Sequence, residues 1–123
     1  MSFALSRYQT TQVATASPLE LVISLYDGAL RFLREAVAAD QAGEIAHRCD
    51  RLNRAHAIVD ELLATLDASK APELCAQLAS LYEFVLHTIS TCVREGTTEG
   101  LEPATRVLSS LRDGWVELRA ARR

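Results

Sequence analysis

The chain has 123 residues, 49% of them hydrophobic and 24% charged, with a formal net charge of −3. That length suits one domain with one core, and five Gly and three Pro are too few for a loop-rich or all-β chain. There is no basic block able to neutralise a nucleic-acid backbone, no run of about 20 apolar residues and no secretory leader, so the expectation is a soluble cytoplasmic protein that neither binds nucleic acid nor inserts into a membrane.

Residues 1–16 read as an arm. Thr10, Thr11 and Thr15 suit extended or irregular backbone, and Phe3, Leu5, Tyr8 and Val13 are dispersed apolar anchors. A first long helix is predicted over about 18–39. Ser17 fits its N-cap, Pro18 its first position and Glu20 the return partner of a capping box. At about 100° per residue, Leu19, Val22, Ile23, Tyr26, Leu30, Leu33 and Val37 share one face. Leu21, Leu25, Ala29, Phe32 and Ala36 form an adjoining face. The apolar arc covers roughly 200°, about twice a minimal surface-helix stripe. Either two neighbouring helices cover it, or one edge stays open as a groove.

A second helix is predicted over about 44–68, with Ile45, Cys49, Leu52, Ile58, Val59, Leu62, Leu63 and Leu66 on its apolar side. A third runs over about 72–95, opened by Pro72, with Ser69 as a candidate cap and Leu74, Leu78, Leu81, Val85, Ile89 and Cys92 as its stripe. Tyr82, Leu86 and Val93 widen that stripe. A fourth spans about 99–121, with Pro103 tolerable only near its start and Ala104, Val107, Leu108, Leu111, Trp115 and Leu118 facing inward. Four helices with short connections predict an all-α, antiparallel four-helix bundle over 17–123, preceded by an N-terminal arm or short cap helix over 1–16.

Chemistry finds little purchase. Glu44 and His47 have the E-x-x-H spacing of di-iron bundles, but the second copy that such a site needs is missing. Cys49, Cys75 and Cys92 are odd in number and widely spaced, which suits free thiols. There is no Gly-rich phosphate loop, and no Ser or Cys has an evident base. The reading is a binding protein without enzyme activity, metal or cofactor. Within it, Tyr26 is expected as a core aromatic with its hydroxyl at the bundle edge. Asp27 is expected in solvent or paired with Arg31, Gly28 at a close helix contact, and Trp115 as a plug at the end of the core.

The string YQTTQVATASPLELVISLYDGALRFL (residues 8–33) resembles the opening of the FliS family of flagellin-specific export chaperones. Tyr8, Val13, the Thr15-Ala16-Ser17-Pro18 cap and Leu25-Tyr26-Asp27-Gly28 carry the likeness. RAHAIVDELLATLD, LASLYEFV and LRDGWVEL continue it in order along almost the whole chain. The resemblance implies a cytoplasmic bundle that binds the C-terminal region of flagellin, prevents premature polymerisation and assists flagellar type III export. The export apparatus and a second copy of the chain are further candidate partners. A helical adaptor or self-associating bundle with a different protein partner is the alternative. Apolar inter-helix grooves would hold the client, and Tyr8, Val13, Leu21, Leu25, Tyr26 and Phe32 are the residues expected to form or cover that surface.

Overall fold

The computed structural model describes residues 18–122, in four helices: α1 (Pro18–Gln41), α2 (Ile45–Ala64), α3 (Pro72–Glu95) and α4 (Glu102–Ala121). No strand occurs among the described residues. The predicted arm lies outside them, as do Tyr8, Val13 and Ser17, the cap residue of the predicted capping box.

Prolines stand in the first turn of α1, α3 and α4, where a missing N–H removes no intrahelical bond. Left-handed glycines end α1 and α3. After α1, Gly43 (φ 73°) lets the Glu44 N–H reach the Ala39 carbonyl at 2.8 Å while its own N–H bonds Asp40. Gly96 (φ 70°) does the same after α3, where the Thr97 N–H bonds the Cys92 carbonyl at 3.2 Å. Helix α2 stops at Ala64, shorter than expected, and its C-cap Thr65 turns its hydroxyl onto the Leu62 carbonyl at 2.8 Å. Ser69 does not cap α3. Its N–H and hydroxyl bond Asp67, and Ala71 is the N-cap.

The helices pack as a ring in chain order, α4 returning to α1. The α1–α2 interface is the most extensive and the α3–α4 seam the thinnest. Tyr26, Leu33, Leu52, Val59, Tyr82, Val85, Ile89 and Leu108 fill the centre. Each fully buried large aliphatic among them contributes about 1.5–3 kcal/mol relative to an exposed one. Gly28 lets α2 come close, since a Cβ there would lie 3.2 Å from Ile58 Cδ1.

Four apolar residues lie outside the interior that the sequence pattern predicts for them. Ile45, expected inside, is 64% exposed because it begins α2 beyond the end of the core. Arg48 takes that face of α2 instead and is buried. Leu74 (49% exposed), Leu81 (36%) and Leu118 (37%) point outward, although each was assigned to an inward stripe. On α3 the residues that win the interior are Leu78, Tyr82, Val85, Ile89 and Cys92.

Candidate partner-binding surfaces

Residues exposed on α3 and α4 form an apolar surface along the thin seam. Leu74, Leu81 and Phe84 (45% exposed) stand on the outer face of α3, and Leu118 stands on α4. Between the two helices lies a groove of about 400 Å³, walled by Leu81 and Phe84 on one side and by Pro103, Val107 and Leu111 on the other. Arg106 and Ser110 are its only polar lining residues. Half-buried apolar side chains in such a concavity lose more water on contact with a second apolar surface than isolated ones do. Phe84 escaped the sequence reading. Its signal was the outward stripe it makes with Leu74 and Leu81 at helical spacing, beside a more apolar stripe that reads as core.

The residues singled out from sequence fall in different places. Tyr26 is fully buried, with its hydroxyl 2.5 Å from that of Tyr82. The hydroxyl therefore sits at the centre of the bundle and not at its edge. Burial pushes both phenols above their ordinary ionisation range, and the Trp115 indole is a second polar neighbour of Tyr26. Trp115 packs on the core from α4, partly exposed. Leu21 is buried. Leu25 and Phe32 remain half-buried and share one depression between α1 and α2, together with Gly28 and Ile58. Asp27 pairs with Arg112 of α4 at 2.6 Å and not with Arg31. The Phe32 ring lies beneath two guanidinia, those of Arg31 (5.0 Å) and Arg51 (5.2 Å).

A third hollow, of about 690 Å³, lies where α1 ends against the loop before α4, with Leu33, Val37 and Leu101 among its lining and Asp40 and Thr98 at its rim. Asp40 is fully engaged there. One oxygen accepts from Arg48 Nη1 at 3.0 Å, the other from the Thr98 N–H at 3.0 Å and the Thr98 hydroxyl at 2.8 Å. The two Thr98 bonds, then Arg48, hold the Asp40 carboxyl below the usual carboxylate range. This cluster is a structural clasp joining the end of α1 to α2 and to the loop before α4.

Among the described residues no group of three or more His, Cys, Asp or Glu is placed to hold a metal ion, and both Glu44 and His47 are exposed. The Cys92 thiol is buried 3.7 Å from the Glu99 carbonyl, and burial pushes its ionisation up, away from a reactive thiolate. No helix among the described residues is long and apolar enough to cross a membrane.

Comparison with known proteins adds an independent finding. The model of the family described as flagellar protein FliS matches residues 1–122. A protein of Campylobacter jejuni named flagellar secretion chaperone FliS is 30% identical over 117 residues, covering 95% of this chain and 91% of its own length. A Bacillus subtilis protein of the same name is 30% identical over 108 residues, covering 88% and 80%. The flagellar secretion chaperone FliSB of Pseudomonas aeruginosa is 27% identical over 116 residues, covering 91% and 92%.

Proposed function

This chain belongs to the FliS family of flagellar secretion chaperones, and from that premise we propose that it binds the C-terminal region of flagellin in the cytoplasm. Holding that region apart prevents premature polymerisation and keeps the client ready for the flagellar type III export apparatus. The protein acts by binding and carries out no reaction.

The observation that carries this reading is the apolar groove between α3 and α4, open along the least tightly packed seam of the bundle. An amphipathic client helix laid in it would bury its apolar face against Leu81, Phe84, Val107 and Leu111. Magnitudes set the scale of the contact. Micromolar affinity needs about 8 kcal/mol net. Ordering a disordered tail costs about 2–5 kcal/mol. Each Leu-sized client side chain taken fully from water returns about 1.5–3 kcal/mol. About five such anchors are required, more than one short groove accommodates. Leu25 and Phe32 at the α1–α2 depression, across the ring from this groove, would give a second client surface, with Leu21 and Tyr26 buried behind it and Tyr8 and Val13 kept as proposed client contacts.

Co-purification with full-length flagellin, and with flagellin truncated at its C-terminus, tests the reading. Recovery of the full-length client alone is expected. Equal recovery of both overturns the recognition mode. Size measurement in the same experiment separates a one-to-one complex from a self-associated bundle that seals the groove on its own.

A further inference from the structure

The depression between α1 and α2 has a charge character that the α3–α4 groove lacks. It encloses about 610 Å³, and Leu25, Phe32 and Ile58 supply its apolar surface. At Gly28 the Ile58 side chain comes close enough to form the floor, 3.2 Å from where a Cβ would stand. Its charged side holds Arg31 and Arg34, three residues apart on α1, with the single carboxylate Asp27. Neither has an ion-pair partner among the described residues. Asp27 is held by Arg112 of α4 at 2.6 Å, and Glu35 by Arg51 at 3.3 Å. Two guanidinia without a carboxylate partner among the described residues, one of them over the Phe32 ring, therefore make a local positive excess beside an apolar trough in a chain whose net charge is −3.

We propose that this depression docks one amphipathic helix of a partner protein whose flank carries two carboxylates, three or four residues apart, facing Arg31 and Arg34. The dimensions fit. From Ser24 to Arg34 the trough runs along ten residue steps of α1, about 15 Å, which is nearly three turns of a partner helix. That length presents apolar side chains at i, i+3 or i+4, and i+7 to Leu25, Phe32 and Ile58. Side chains three or four apart on a helix stand about 5–6 Å from one another at Cβ, so the carboxylate spacing of the partner matches that of Arg31 and Arg34. Guanidinium–carboxylate pairs can be bidentate, which fixes the partner's register as well as its sign of charge. The inference rests on the unpaired arginines and stands whether or not the client in the α3–α4 groove is flagellin.

The test uses the full chain and two labelled synthetic peptides of fourteen residues. Both carry leucines on one helical stripe. One has glutamates at i and i+4 on the flank, and its twin has lysines there. The glutamate peptide is expected to bind at least tenfold more tightly than its twin, with the difference shrinking at high salt. Arg31→Glu combined with Arg34→Glu, on the surface and away from the core, is expected to reverse the preference. Phe84→Asp, in the other groove, is expected to leave it unchanged. Amide shifts on binding are expected over residues 24–34 and around Ile58. Equal affinity for the twins, indifference to the double arginine variant, or loss of binding in Phe84→Asp each overturns the proposal.

Discussion

The hydroxyls of Tyr26 and Tyr82 meet at 2.5 Å inside the bundle, joining α1 to α3 between residues 56 apart in sequence. Their rings stand 6.4 Å apart at centroid and are tilted by 48°. In a medium without water each hydroxyl depends on the other, so the pair fixes the register of two helices that are not neighbours in the ring.

Tyr82→Phe leaves the Tyr26 hydroxyl short of one partner and is expected to cost about 1–3 kcal/mol in urea unfolding. Removing both hydroxyls together is expected to cost less than the sum of the two single changes, because neither hydroxyl is then left without the other. Strict additivity would show that the hydroxyls do not act as a unit.

The clasp at Asp40 sets part of the acid limb of stability. Its carboxyl is held below the ordinary range by Thr98 and then Arg48, so its folded pKa lies below the unfolded value. The stabilisation it gives is present above the unfolded value, about 3.9, and is lost as pH falls through the folded one. Asp40→Asn is expected to lower stability at neutral pH and to flatten the decline on acidification. An unchanged acid profile in unfolding measurements would contradict this.

Two glycines are expected to respond to alanine with opposite sign. At Gly28 the helix has ordinary dihedrals, and the added Cβ meets only the flexible tip of Ile58 at 3.2 Å. Gly28→Ala is expected to gain up to about 1 kcal/mol through helix preference. Gly96 has φ 70°, and Gly96→Ala is expected to lose about 1–2 kcal/mol. Thermal unfolding of the two variants in parallel checks the contrast.

Phe84→Asp changes a half-exposed side chain and is expected to shift stability by less than about 0.5 kcal/mol. It places a charge in the α3–α4 groove, and binding of a flagellin C-terminal fragment is expected to weaken at least tenfold. Titration calorimetry measures it, and undiminished binding would move the client elsewhere.

Local signals carried the fold. Pro72 and the glycines at 43 and 96 mark helix ends through their own backbone constraints, so α1 and α3 begin and end within two residues of where the pattern puts them. Partners across the bundle were not legible in the same way. Arg31 lies one turn from Asp27 and was the natural choice, yet Arg112, 85 residues on, takes that carboxylate. Rotation was the other gap. Helix α3 has two adjacent apolar stripes, and periodicity alone does not say which one faces in. Tyr82, Val85 and Ile89 turn inward, and Leu74, Leu81 and Phe84 are left outside. The surplus apolar surface expected on α1 is therefore most open on α3 and α4. Arg31 and Arg34 look like ordinary solvated arginines until the ion pairs around them are known.

One carboxylate fastens both crossings at the same pole, since Asp40 reaches from the end of α1 to Thr98 in the loop before α4. Among the described residues the opposite pole has no equivalent tie, and Asp67, Ala68, Ser69 and Lys70 lie exposed between α2 and α3. The polypeptide can accordingly accept an inserted tag or a protease nick at 67–70 with its packing intact, whereas lengthening the chain at 97–99 would unbuckle two connections at once.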